Sequence, residues 1–252
     1  NKPFRDIALG LAKRGVGVIR YDKRTFMYAN DASTDTNGIT VFDETINDAI
    51  TALQFAKTMQ GVDTNAVYLC GHSLGGMCAP YISAKATNIA GAIILAGSPR
   101  PLEDVILDQM KYLLGTDAES KKQLQVIEKR VKAAKSPTLT TNTSPETLPL
   151  NLPGNYWLSL REMLNPKHGQ NVPQSVRFFI AQGECDYQVT TTDYKAWDTY
   201  WGNRKNITKK LYPTLNHLFM EGTGKSTPTE YQAEGHVADI LLDDIATFIT
   251  KK

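Results

Sequence analysis

The chain has 252 residues, enough for one domain with a sizeable insertion and for a substantial buried core. Its 41% hydrophobic and 21% charged residues are those of a globular protein, and a formal charge of +2 gives no electrostatic reason to bind nucleic acid or an anionic membrane. No apolar run approaches the roughly 20 residues that cross a bilayer. The three cysteines, Cys70, Cys78 and Cys185, are an odd number, which argues against a disulfide framework.

Helical and strand patterns alternate along the chain. Pro3 to Arg14 places Phe4, Ile7, Ala8 and Leu11 on one helical face, and Gly15 closes it. Val16 to Tyr21 reads as a short buried strand. Asp43 to Gln60 repeats Ile46, Ala49, Ile50, Leu53 and Ala56 at helical spacing. Ala66–Cys70 reads as a strand and Leu74–Ala86 as a helix, with Pro80 predicting a kink or a lost hydrogen bond inside it. Gly91–Ala96, Val176–Gln182 and Ile207–Tyr212 are further strands. Val237–Ile249 closes the chain as an amphipathic helix with Ile240, Leu241, Ile245 and Phe248 inward. Cys70 and Cys78 are expected to behave as small buried hydrophobes.

Val- and Ile-rich strands separated by helices predict an α/β fold with a mostly parallel, doubly wound sheet. The stretch 101–175 breaks the alternation. Val105–Leu114 and Ala118–Lys135 are helical, Ser136–Pro153 is a polar, proline-rich surface loop, and Tyr156–Leu164 is a further short helix. The expected domains are a catalytic unit, 1–100 with 176–252, and a helical cap inserted at 101–175. The opening helix should follow a strand in such an architecture, so at least one strand is expected upstream of it.

Ligands bind at the carboxyl ends of parallel strands, and the chemistry-bearing residues fall there. Gly71-His72-Ser73-Leu74-Gly75 is a G-x-S-x-G elbow between a strand and an apolar helix. Such a turn presents the Ser73 hydroxyl at a helix N-terminus, where the Leu74 N–H stabilises a developing oxyanion. A serine needs a base. His217 lies just after the last strand; His236 opens the closing helix and is the weaker candidate. His168 lies in the cap, and His72 points away from the serine by side-chain alternation. The base needs a carboxylate. Asp186 follows the strand Val176–Gln182, with Glu184 as the weaker alternative. The order Ser73, Asp186, His217 matches that of α/β-hydrolases. The loop Gly222-Thr223-Gly224-Lys225-Ser226-Thr227 resembles a phosphate-binding loop, but the pattern requires a glycine where Phe219 stands.

Arg20-Tyr21-Asp22-Lys23-Arg24, Cys70–Met77, Gln182–Val189 and Asn216-His217-Leu218-Phe219 together resemble bacterial α/β-hydrolase serine esterases of the dienelactone-hydrolase-like and prolyl-oligopeptidase-like group. The resemblance spans nearly the whole chain and is weakest over the cap. It implies hydrolysis of a small-molecule ester through an acyl-enzyme, without metal or cofactor. The alternatives on the same residues are a peptidase of prolyl-oligopeptidase type, an acyl-CoA thioesterase, or a non-catalytic binding module. Such enzymes carry a His-Gly oxyanion loop ahead of a segment like Pro3–Arg14. Here that motif, and the strand before it, is expected in an upstream segment of the same protein that completes the sheet. Tyr156 and Trp157 are candidate pocket residues of the cap, with core packing as the simpler role.

Overall fold

The computed structural model describes residues 1–28 and 38–251. Four strands form one all-parallel sheet among the described residues: β1 (Tyr68–His72), β2 (Gly91–Leu95), β3 (Arg177–Gly183) and β4 (Ile207–Tyr212), hydrogen-bonded in that order. Ten α-helices accompany them among the described residues. They are α1 (Pro3–Ala12), α2 (Arg24–Met27), α3 (Asn47–Ala56), α4 (Leu74–Lys85), α5 (Leu102–Leu113), α6 (Ala118–Lys135), α7 (Gly154–Met163), α8 (Pro166–Gln170), α9 (Thr191–Trp201) and α10 (Asp239–Thr250). A π-helical turn, Phe42–Ile46, leads into α3.

Side-chain alternation along the strands divides the interior in two. Ala92, Ile94, Phe178 and Ile180 face α3, α4, α7 and α9 in the larger cluster. Ile93, Leu95, Phe179 and Ala181 face α1 and α10 in the smaller one. Both faces of the sheet are covered, which is what continuous apolar strands such as Gly91–Leu95 require.

Some expectations fail for physical reasons. Val16–Tyr21 is not a strand: among the described residues no neighbouring strand pairs with it, and Val18, Ile19 and Tyr21 are exposed. An apolar run specifies burial against a partner, and no strand lies alongside among the described residues. Cys70 is exposed, because it lies on the free edge of β1. Ile240 points to solvent, and Leu242 takes its place inward beside Leu241 and Ile245. Phe4 is likewise exposed, so the buried face of α1 is Ile7, Gly10 and Leu11. The stretch 136–153 contributes Leu139 and Leu148 to the core. Tyr156 and Trp157 are almost completely buried in the larger cluster, which is core packing. Pro80 is accommodated within a single continuous helix.

Candidate active site

Ser73 sits where β1 turns into α4, with φ 55° and ψ −117°. That left-handed conformation is strained for a side-chain-bearing residue. The surrounding structure holds it. The Ser73 N–H donates to the Leu95 carbonyl at 2.9 Å, and the Ser73 carbonyl accepts from the Met77 N–H at 2.9 Å. The turn closes so tightly that a Cβ on Gly71 would lie 2.2 Å from the Gly75 carbonyl oxygen. The first N–H groups of a helix have no intrahelical acceptor, so the Leu74 amide at the start of α4 is a free donor beside the hydroxyl.

Asp186 and His217 lie in the loops after β3 and β4, the same rim of the sheet. The loops are laced together: the Cys185 N–H donates to the Leu215 carbonyl at 3.0 Å, and Glu184 N–H to the Tyr212 carbonyl at 2.9 Å. A Cβ on Gly183 would lie 2.1 Å from the Leu215 carbonyl oxygen, so this approach requires glycine. His217 Nδ1 lies 2.7 Å from Asp186 Oδ2, and both side chains are buried. The Asp186 carboxylate also accepts from Gln182 Nε2 (3.0 Å) and from the backbone N–H groups of Gln188 (2.7 Å) and Val189 (3.1 Å). With Nδ1 turned to the carboxylate, Nε2 of His217 is the nitrogen left for chemistry.

The pair meets the elbow through His72. Its ring lies 4.6 Å from that of His217, centroid to centroid, and its Nε2 donates to the His217 carbonyl at 2.8 Å. Burial, then the nearby His217, hold the His72 imidazole down at about 4. His72 is therefore neutral near pH 7, with its ring packed against that of His217. Among the described residues the Ser73 hydroxyl has no hydrogen-bond partner, and nucleophile–base contacts commonly tighten only with substrate bound.

The weaker candidates lie elsewhere. Glu184 is exposed. His236 is on the surface, 3.1 Å from Asp6. His168 packs edge-on against Tyr81. The loop 222–227 is held to the first inserted helix, with the Lys225 ammonium 3.8 Å from the Tyr112 ring centroid.

Sequence reasoning missed the supports. Gln182 is the polar end of an apolar strand, an anomaly that was its signal; its amide also reaches the Val189 carbonyl at 2.7 Å. Asn216 is buried, and its side chain accepts from the Leu218 and Met220 N–H groups (2.9 and 3.2 Å), shaping the turn that presents His217. Asp193 is buried at the start of α9. It accepts from Ser98 Oγ (2.6 Å), Arg100 (3.1 Å) and the Thr190 N–H (2.8 Å), tying the loop after β2 to that helix.

Residues 2–222 match the model of Hydrolase_4, serine aminopeptidase, S33. The chain belongs to that family. Its parallel sheet and the helices around it are those of an α/β-hydrolase. The chain is 37% identical over 253 residues to esterase EstD of Thermotoga maritima, covering 100% of the chain and 57% of that relative's length. Among solved structures it is similar in fold to Est1E of Butyrivibrio proteoclasticus bound to ferulic acid, with a TM-score of 0.57 and 16% identity over 100% of the chain and 84% of that one. The Pyrococcus furiosus esterase Pf2001 gives a TM-score of 0.54 at 12% identity, over 97% of the chain and 73% of that one.

Proposed function

We propose that this chain cleaves carboxylic esters through an acyl-enzyme, with Ser73 as nucleophile, His217 as base and acid, Asp186 as its orienting carboxylate and the Leu74 N–H as an oxyanion donor. The observation that carries this reading is the buried Asp186–His217 pair, 2.7 Å apart, at the same sheet rim as a serine in a strained turn at a helix N-terminus. His217 Nε2 takes the hydroxyl proton as Ser73 Oγ attacks the acyl carbon. The carbonyl oxygen becomes an oxyanion against the Leu74 amide, a type of donor worth about 3 to 4 kcal/mol to the transition state. Collapse expels the alcohol, which takes the proton from His217. Water, deprotonated by the same imidazole, then releases the acid and regenerates Ser73. Asp186 fixes the Nδ1–H tautomer and balances the charge that the ring gains.

The relative's name, esterase EstD, favours an ester over other acyl compounds. The family description, serine aminopeptidase, favours a second reading in which the leaving group is an amine. We assign residues 1–100 and 176–252 to the catalytic unit and 101–175 to a cap that sets specificity. A panel of p-nitrophenyl esters, aminoacyl p-nitroanilides and acyl-CoA thioesters separates the substrate classes. A fluorophosphonate probe should label wild-type protein and not Ser73→Ala. That variant should lose turnover by roughly 10⁴-fold or more while keeping its unfolding midpoint. Near-wild-type turnover in Ser73→Ala overturns the proposal.

A further inference from the structure

Three tyrosines far apart in the chain stack beside Asp186. Tyr112 is in α5, Tyr187 follows Asp186 directly, and Tyr231 lies in the segment between His217 and α10. The Tyr112 and Tyr187 ring centroids are 5.6 Å apart with their planes at 27°, and those of Tyr187 and Tyr231 are 6.1 Å apart at 21°. Aromatic pairs attract at such offset-stacked separations. The Lys225 ammonium, 3.8 Å from the Tyr112 centroid, adds a cation–π contact to the same group.

Hydrogen bonds tie together the same three segments. Gln109 and Tyr112, three residues apart, share one face of α5. Gln109 Nε2 donates to the Gln188 carbonyl at 3.0 Å, and the Tyr112 hydroxyl to the Lys225 carbonyl at 3.2 Å. Gln188 Nε2 donates to the Tyr231 hydroxyl at 3.2 Å, and the Ser226 N–H to the Cys185 carbonyl at 2.7 Å. Residues 185–189 are thus held both by α5 and by the segment 225–231. The same turn orients Asp186, whose carboxylate accepts from the Gln188 and Val189 N–H groups. Tyr187 is the ring common to both stacked pairs and is 7% exposed. Burial, then the charge of Asp186, raise its phenol, so the ring stays neutral beside the carboxylate.

We infer that Tyr187 is a positioning residue for Asp186, and that its stacking on Tyr112 and Tyr231 makes the aim of that carboxylate depend on where α5 sits. The ring takes no part in the chemistry. It fixes the turn whose N–H groups hold Asp186, and Asp186 in turn holds His217 at 2.7 Å. Helix α5 opens the inserted stretch 101–175, so a displacement of that stretch reaches the catalytic pair through the stack. The inference deepens the acyl-enzyme reading and rests on it.

The test is steady-state kinetics on the best ester of the panel, well below the unfolding midpoint of every variant. Misplacing a reacting group by about 1 Å can cost roughly 10²-fold in rate. Tyr187→Ala should lower kcat by roughly 10- to 100-fold and Tyr112→Ala by about 5- to 10-fold, with KM within about 3-fold of wild type. Tyr187→Phe and Tyr112→Phe keep the stacked rings and should stay within about 3-fold of wild type in kcat. In an Asp186→Asn background, Tyr187→Ala and Tyr112→Ala should cost no further rate, because effects that act through one group do not add. A loss of packing alone would carry over at full size. If Tyr187→Ala does not fold, Tyr112→Ala and Tyr112→Phe decide, alone and in the same background. Wild-type kcat in Tyr112→Ala overturns the inference. So does a fall confined to KM, or a full extra loss on top of Asp186→Asn. Failure of the triad reading looks different: there Ser73→Ala itself keeps its turnover.

Discussion

His72 illustrates how much a single desolvated ring contributes to the pH dependence of folding. Its imidazole is held at about 4, against an ordinary 6.5, chiefly by burial. Below pH 6.5 the unfolded chain takes up a proton that the folded chain refuses. Stability should therefore fall as pH drops from 6.5 to 4, by at most about 3 kcal/mol from this group. Thermal melts of wild type and His72→Gln across that range should show the wild-type curve falling more steeply. Parallel curves would remove His72 from the account. At Asp186 the expected effect is on rate. Asp186→Asn should reduce kcat by roughly 10³- to 10⁴-fold through the wrong His217 tautomer, with little change in the unfolding midpoint; steady-state kinetics on the best ester of the panel measure this. Unchanged kinetics would reopen the case for Glu184.

Elements position these residues by close approach. The elbow works because β1 and α4 nearly touch at Gly71, where the Gly75 carbonyl leaves no room for a methyl group. Gly71→Ala must displace backbone, and should cost about 3 kcal/mol or more along with most activity; chemical denaturation and ester turnover read both. The capping box at Thr190 and Asp193 begins α9, and the same carboxylate holds Ser98 and Arg100 from the end of β2. Asp193→Ala removes all three partners at once from a buried site and should destabilise by roughly 3 kcal/mol, visible in urea melts. Arg100 keeps its exposed contact with Asp108, which limits the loss.

At the scale of the molecule, two apolar clusters sandwich the sheet. Helix α7, within the stretch 101–175, contributes Tyr156, Trp157, Leu160 and Met163 to the larger. Trp157 is almost completely buried there. Trp157→Ala should therefore unfold at a denaturant midpoint lower by the equivalent of about 3 to 5 kcal/mol, with loss of the single cooperative transition if the inserted helices detach. The β1 edge and the Val16–Tyr21 segment line one cleft.

Periodicity along the chain was enough for the alternation of helices and strands and for the parallel class of the sheet. Those are local properties: hydrophobic period, glycine placement and the short elbow pattern are written within a few residues of each site. Ile207–Tyr212 and Ala118–Lys135 match their helix and strand bounds residue for residue. Tertiary structure alone decided what lies beside each element. Val16–Tyr21 has the residues of a buried strand but no strand to bond among the described residues, Cys70 is open because it sits on an edge, and Ile240 turns outward because Leu242 fits the α1 groove at Gly10. The supports at Gln182, Asn216 and Asp193 belong to the same class. A buried polar side chain gains its meaning from partners distant in the chain, and spacing along the sequence carries no record of them.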